Sequence, residues 1–165
     1  MKRFIKGSMI SLLMAICLNA QECKIPSDCV MAKDLNVQFQ DASLIYMDEA
    51  ERNEIKDYAK FIIDTDLFVV IEGHTNSWSK ADFNYDLSVK RANLVRNELI
   101  SLGVEPTKIK AMGFGETSPY FDDSTEEGRI KNRRVIAVVF NTAEELETYV
   151  QSEEARITPL KFVEQ

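Results

Sequence analysis

The strongest constraint on the fold is a run of five consecutive apolar residues at positions 67–71, Leu-Phe-Val-Val-Ile. Because neither face of such a segment carries a polar side chain, it predicts a strand that is covered on both faces. An amphipathic helical pattern precedes this run, and a second one follows it. We therefore expect a central strand with helices packed on its sheet.

The two helical patterns have recognisable ends. Asp48 followed by Glu51 predicts the start of the first helix, which ends near Asp64. Gly103 stands where the second helix is expected to end. The apolar residues recur at helical spacing; they are Met47, Ile55, Tyr58, Ala59, Ile62 and Ile63 in the first helix and Leu87, Leu94, Val95, Leu99 and Leu102 in the second.

Four weaker patterns complete the order of elements. Leu35, Val37 and Phe39 alternate with polar residues and predict a half-buried strand. Residues 108–112 and 135–140 predict two further strands, and residues 125–129 a short helix. The order β-α-β-α-β-(α)-β predicts an α/β (α+β) sandwich, in which two main helices pack on a four-stranded mixed sheet. We assign residues 34–141 to this domain.

Residues 142–165 differ in composition from the domain before them. They are rich in glutamate, and their apolar residues are sparse: Leu146, Val150 and Ile157. We expect an acidic terminal helix, followed by a loose tail, outside the main core.

The first 20 residues have the pattern of a secretory signal peptide. Positive residues precede a ten-residue apolar segment at 9–18, and Ala20 offers a small residue at the cleavage point. That apolar segment is short for a membrane anchor, which favours a cleaved signal peptide. An uncleaved anchor and a buried helix are the less favoured alternatives. Ile16 before Cys17 does not fit a lipoprotein signal, so lipidation of Cys17 is the less favoured alternative. We predict an exported protein, in the periplasm or associated with the cell wall or outer membrane.

Export changes the interpretation of the cysteines in the short segment 21–33. Cys23 and Cys29 remain as a pair in an oxidising compartment, and Pro26 favours a turn between them. We expect a disulfide between them, and two free thiols are the alternative.

Charge and composition exclude several classes of function. The chain has 20 basic and 27 acidic residues, and removal of residues 1–20 leaves a net charge of −10. Such an acidic protein is not expected to bind nucleic acid. After residue 20 no apolar run is long enough to span a membrane. His74 is the only histidine, so a catalytic triad or an imidazole metal cluster would have to include it. No nucleophile–base pair stands at motif spacing, and we expect no enzymatic activity, no metal and no cofactor.

Four motifs point to a family. Residues 73–76 read Gly-His-Thr-Asn, residues 84–92 contain Asn-x-x-Leu-Ser-x-x-Arg-Ala, residues 113–119 read Gly-Phe-Gly-Glu-x-x-Pro, and residues 132–135 read Asn-Arg-Arg-Val. Their order and spacing resemble the OmpA-like peptidoglycan-binding domain over residues 34–141. The resemblance implies non-covalent binding of the peptidoglycan stem peptide, by an acid that accepts from the diaminopimelate ammonium and an arginine that binds its carboxylate.

The resemblance also implies which residues bind. Arg91 matches the carboxylate-binding arginine and Asn76 the loop acceptor beside Thr75. Asn84 and Arg133 match further ligand-contacting positions, and Phe39 and Gln40 match the loop after the first strand that borders the binding pocket. This chain departs from the family at Asn76, where aspartate is typical, and at Gln40, where many members carry an acid.

Other interpretations of the same residues remain. The domain is alternatively a degenerate member that binds a protein partner in an envelope assembly. Arg91 is alternatively paired with Asp82 or Asp86 on the surface. We expect His74 to hydrogen-bond within its loop rather than act as a base. Trp78 either covers a sugar or peptide or is partly buried against the domain.

Overall fold

The computed structural model describes residues 34–163, so the predictions for the signal peptide, Cys17 and the Cys23–Cys29 disulfide lie outside the described residues. Within that range the elements follow the predicted order. The strands are β1 (Asn36–Gln38), β2 (Phe68–His74), β3 (Ile109–Gly115) and β4 (Arg134–Phe140). The helices are α1 (Ala50–Thr65), α2 (Ala81–Ser101), α3 (Glu126–Asn132) and α4 (Ala143–Ile157), with a 3₁₀ turn at Pro106–Lys108.

The four strands form one mixed sheet in the order β1-β4-β2-β3. β2 pairs in parallel with β3, and β4 pairs antiparallel with both β1 and β2. The predicted burial of β2 on both faces and the predicted mixed α+β architecture are confirmed. Because β2 and β3 are parallel, their carboxyl ends meet at the same edge of the sheet.

Helices α1 and α2 cover one face of the sheet. Val69 and Ile71 of β2 are fully buried in the main core on that side. α2 lies close to the end of β2, because a Cβ atom at Gly73 would stand 2.1 Å from the Ser88 carbonyl oxygen. Only glycine permits this approach. It places the start of α2 beside the loop that follows β2.

Helix α4 covers the opposite face of the sheet. It begins with a capping box between Thr142 and Glu145, which satisfies backbone donors at the helix start. The apolar residues of α4 join residues of β2 and β3 in a second, smaller core: Leu146, Val150, Ile157, Val70, Met112 and Phe114. The predicted terminal helix is therefore present, and its buried apolar residues lie in this second core and not in the main one. β2 alternates its side chains between two faces, and the second face also needs a cover.

The segment after α4 folds back instead of extending as a loose tail. Lys161 N–H donates to the Ile157 carbonyl oxygen at 2.9 Å. The ring of Phe162 stands edge-on to that of Tyr85, with centroids 5.6 Å apart. The end of the described chain thus contacts α2.

Candidate functional site

The loop between β1 and α1 folds over the carboxyl edge of the sheet. It is closed as a hairpin by backbone hydrogen bonds from Gln40 N–H to the Ile45 oxygen and from Met47 N–H to the Gln38 oxygen, both 2.9 Å. This closure holds residues 40–45 above α2. The loop thereby forms one wall of a small pocket, and the start of α2 and the loop after β2 form the others.

Five of the seven residues that the resemblance assigns to ligand binding line this pocket: Thr75, Asn76, Asn84, Arg91 and Arg133. Phe39 and Gln40 lie beside it and contact the Arg91 side chain. The open space is narrow, about 10 Å³, which is close to the space that one water molecule occupies. A larger ligand therefore requires side chains at the mouth to move.

Arg91 is fully buried between α2 and the β1–α1 loop. Its Nε donates to the Ser43 carbonyl oxygen at 3.0 Å, and its Nη2 donates to the Gln40 carbonyl oxygen at 2.9 Å. The guanidinium also stands 5.0 Å from the centroid of the Phe39 ring. Within residues 34–163, Nη1 has no hydrogen-bond partner. One nitrogen of a rigidly held guanidinium is therefore available at the pocket, while Nε and Nη2 hold the loop.

The burial of Arg91 excludes a surface ion pair and lowers the pKa of its guanidinium. A surface ion pair with Asp82 or Asp86 is wrong, because Arg91 packs inside the domain. Burial, and after it the positive charge of Arg133, lowers the pKa of Arg91 from 12.5 to about 10, whereas Asp41 raises it. The side chain therefore stays charged at neutral pH.

Thr75 and Asn76 form the wall at the end of β2. Thr75 N–H donates to the Gly115 carbonyl oxygen at 2.9 Å, which ties this loop to β3. The buried Thr75 Oγ1 has no hydrogen-bond partner among the described residues. Asn76 Oδ1 accepts from Trp78 N–H at 3.3 Å and retains a second lone pair. This wall thus offers a hydroxyl and an amide oxygen, without a charge.

Asn84 is a buried residue of the first turn of α2. Its Nδ2 donates to the Ser79 carbonyl oxygen at 2.9 Å and to Glu116 Oε2 at 2.5 Å. Both amide hydrogens are therefore used within the protein. Asn84 ties the start of α2 to the end of β3 and leaves only its Oδ1 as an acceptor toward a ligand.

Arg133 and Asp41 stand at the outer part of the pocket. Arg133 is half-buried, and its Nε donates to the Phe39 carbonyl oxygen at 3.4 Å. Asp41 is exposed and lines the same pocket. The sequence analysis missed Asp41, although it directly follows Gln40. Two guanidinium groups and one carboxylate together suit a ligand that carries both signs of charge.

His74 lies on the other face of the sheet from this pocket. It stacks on Phe114, with ring centroids 5.0 Å apart, and its Nε2 is 3.6 Å from Glu72 Oε2. In the part of the chain that the structure describes, neither ring nitrogen has a hydrogen-bond partner, so the expected hydrogen bond within the loop is wrong. Burial lowers the pKa of His74 against the opposing effect of Glu72. A neutral, covered imidazole is poorly placed to act on a ligand.

Trp78 follows the pocket wall and is 68% exposed, which favours the alternative of a surface contact over burial against the domain. Its ring lies 4.2 Å from the guanidinium carbon of Arg129.

Arg134 is buried and has a structural role. Its Nη1 donates to Asn132 Oδ1 and its Nη2 to the Ser118 carbonyl oxygen, both at 3.3 Å.

Within residues 34–163, no three His, Cys, Asp or Glu side chains are grouped in a way that could hold a metal ion. None of the helices described there is long and apolar enough to cross a membrane.

Comparison with known proteins gives relatives for most of the domain. Outer membrane porin F of Pseudomonas aeruginosa is 33% identical over 126 residues, which are 75% of this chain and 35% of that protein. The peptidoglycan-binding protein ArfA of Mycobacterium tuberculosis is 38% identical over 98 residues, which are 59% of this chain and 29% of that protein. The chain thus spans about a third of the length of these curated relatives.

The fold has solved counterparts as well. The crystal structure of the peptidoglycan-associated lipoprotein from Burkholderia pseudomallei matches with a TM-score of 0.59 and 26% identity, over 63% of this chain and 88% of that one. A model of the OmpA family matches residues 38–133, a range that contains β2, β3 and the lining of the pocket. The resemblance drawn from the four motifs is confirmed, and the chain belongs to the OmpA family.

Proposed function

We propose that this protein is a non-enzymatic module that binds peptidoglycan non-covalently and tethers an envelope component to the cell wall. One relative is named as a peptidoglycan-binding protein, and a structural neighbour is a peptidoglycan-associated lipoprotein. The signal-like N-terminus supports export, so we place the function in the periplasm, at the wall or the outer membrane.

The observation that carries this proposal is the unpartnered Nη1 of Arg91 at the pocket. A buried, charged donor without a partner destabilises the protein by about 1–3 kcal/mol or more. A ligand carboxylate would satisfy that donor with a charge-assisted hydrogen bond. We infer that the carboxylate belongs to the zwitterionic end of diaminopimelate in the stem peptide.

The ammonium of that ligand needs an acceptor on the other side of the pocket. Asn76 supplies an amide oxygen without a charge, and replacing a charged acceptor by a neutral one weakens such a bond by about 1 kcal/mol. Asp41 lines the same pocket and carries the negative charge that Asn76 and Gln40 lack. We propose that Asp41 and Asn76 together accept from the ammonium, after the side chains at the narrow mouth move apart.

The test is co-sedimentation of the full chain with purified sacculi that contain diaminopimelate. Two N-acetylated tripeptide amides serve as competitors, one with meso-diaminopimelate and the other with lysine at the third position. The lysine side chain has the same carbon chain up to its amine but lacks the carboxylate beside that amine. We expect the diaminopimelate peptide to release the protein and the lysine peptide to do so at least about tenfold less well, because a charge-assisted hydrogen bond is lost. Equal competition would contradict the diaminopimelate assignment.

A matched pair of variants tests the role of Arg91. Arg91→Lys keeps the charge but removes the planar fork, and Arg96→Lys makes the same change on the same helix. Arg96 donates to the Ile109 carbonyl oxygen at 2.9 Å, away from the pocket residues. We expect Arg91→Lys to lose most sacculus binding and Arg96→Lys to keep it. Binding that survives in both would place the ligand elsewhere.

A protein partner within an envelope assembly is the second candidate. Three apolar residues beyond α4 are exposed, namely Leu160, Phe162 and Val163. Exposed apolar groups of this kind are typical of interaction surfaces. Absence of sacculus binding by the unaltered protein would favour this candidate over peptidoglycan binding.

A further inference from the structure

Trp78, the only tryptophan of the chain, is fixed in an exposed position. Its ring lies 4.2 Å from the guanidinium carbon of Arg129. Arg129 is itself held in place, because Nη1 donates to the Asp123 carbonyl oxygen at 2.9 Å and Nη2 to Glu126 Oε2 at 2.7 Å. A tryptophan is ordinarily among the more buried residues. Here a large aromatic surface is supported from the protein side and presented to solvent.

The loop that carries Trp78 is tied to the pocket. Trp78 N–H donates to Asn76 Oδ1 at 3.3 Å, and Ser77 N–H donates to Asp123 Oδ2 at 2.8 Å. Asn76 lines the pocket, and so does Phe83, which is also exposed. The exposed aromatic surface therefore begins within two residues of the proposed ligand contacts.

The chemistry of the ring favours a sugar. One side of a pyranose presents C–H groups, which pack on an aromatic face while the hydroxyls stay in water. A fixed aromatic ring makes this contact at a low entropic cost. In peptidoglycan the stem peptide is joined to the glycan strand, and about three extended residues cover about 10 Å. Trp78 is two residues from Asn76, a separation of about 7 Å at most, so one peptidoglycan unit can reach both places.

We propose that Trp78, supported by Arg129, is a sugar-binding platform that contacts the glycan strand of the peptidoglycan whose peptide occupies the pocket. This inference rests on the proposed function and extends it from the peptide to the disaccharide. The protein then recognises the junction between the glycan strand and its peptide, with the pocket holding the charged end and Trp78 holding the sugar.

The test compares two soluble ligands on the full chain by calorimetry. One is a disaccharide–tripeptide with diaminopimelate at its third position, and the other is the same tripeptide without sugars. We expect the disaccharide–tripeptide to bind about threefold to tenfold more tightly. Trp78→Ala should remove this advantage without changing the affinity for the tripeptide. Because Trp78 is the only tryptophan, its fluorescence should respond to the sugar-containing ligand more than to the tripeptide.

Two further variants serve as controls. Phe162→Ala removes another exposed aromatic residue near a cation, since Lys161 Nζ lies 5.3 Å from its ring, and we expect no change in the affinity for either ligand. Trp78→Tyr retains an aromatic ring and should keep part of the sugar preference. Unchanged melting temperatures of all three variants would show that the fold is intact.

The outcomes separate this inference from the proposed function. Equal affinity of the unaltered protein for the two ligands would overturn the sugar platform and leave peptide binding in place. An equal loss of affinity for both ligands in Trp78→Ala would assign Trp78 to positioning the Asn76 loop, and would also overturn it. Failure of the unaltered protein to bind either ligand would overturn both the proposed function and this inference.

Discussion

Two groups of buried polar side chains flank the end of β2, one on each face of the sheet. On the α2 face, Arg91 and Thr75 have unpartnered polar atoms, and both residues line a pocket. On the α4 face, Glu72 accepts from the Tyr149 hydroxyl at 2.5 Å and lies next to His74. By residue type alone, the second group with its histidine and carboxylate looks the more reactive. The cover provided by α4 makes it structural, whereas the first group borders a pocket.

The largest effect is expected from removing the cation of the pocket. Arg91→Ala should abolish sacculus binding, and it should lower the free energy of unfolding by about 2–3 kcal/mol, because the donors to Ser43 and Gln40 disappear. Urea denaturation and co-sedimentation would measure the two effects. Arg96→Ala is the control and should retain binding. Full binding by Arg91→Ala would show that the ligand does not bind on the α2 face of the sheet.

The α4 face should respond in stability alone. Tyr149→Phe removes the donor to the buried Glu72 carboxylate, which should lower the free energy of unfolding by about 1–3 kcal/mol. Sacculus binding should be unchanged, since neither residue lines the pocket. Tyr120→Phe, at a 74% exposed position, should change neither quantity. A loss of binding in Tyr149→Phe with normal stability would contradict the division between the two faces.

The pH dependence of stability should reveal His74. Burial lowers its pKa in the folded protein, while Glu72 raises it and Arg134 and Arg156 lower it further. The unfolded chain therefore binds a proton near pH 6.5 that the folded protein binds only at lower pH, so stability falls as the pH drops through that range.

The measurement is urea denaturation at pH 7 and pH 5. We expect the unaltered protein to lose more stability between these two pH values than His74→Gln does, by no more than about 1.4 kcal/mol per pH unit, the limit for one proton. An identical loss in both proteins would show that His74 has the same pKa in the folded and unfolded states.

The smallest expected effects concern the acceptor side of the pocket. Asn76→Asp should strengthen sacculus binding, and Asp41→Asn should weaken it, each by tenfold or less, because a charged acceptor contributes about 1 kcal/mol more than a neutral one. Asp57→Asn, at an exposed position on α1, is the matched control. Binding isotherms with sacculi at low salt measure all three. No change in either pocket variant would remove Asp41 and Asn76 from the ammonium site.

The order of the elements was predictable because it is encoded in local patterns. The apolar run at 67–71 became the centre of β2, and the two amphipathic patterns became α1 and α2. The predicted ends of the elements were less accurate. For example, β3 continues to Gly115, three residues beyond the predicted strand. Glycine is rare in strands, and here it is needed because a Cβ at Gly113 would meet Val89 Cγ2 at 2.4 Å.

The residues of the pocket were partly predictable, through the four motifs. Thr75, Asn76, Asn84, Arg91 and Arg133 come from separate elements, and the structure brings them together. Asp41 was missed because no local pattern marks it. It lines the pocket only because the β1–α1 loop folds over α2.

By itself, the sequence determined the secondary structure, the mixed α+β architecture and the family, since these follow from the spacing of apolar residues and from short motifs. Only the tertiary structure decided which polar residues are accessible. In the folded domain, Arg91 is buried with its Nη1 unpartnered among the described residues, α4 covers His74, and Trp78 is exposed. Accessibility depends on contacts between segments far apart in the chain, and the spacing of residues within one segment does not specify them.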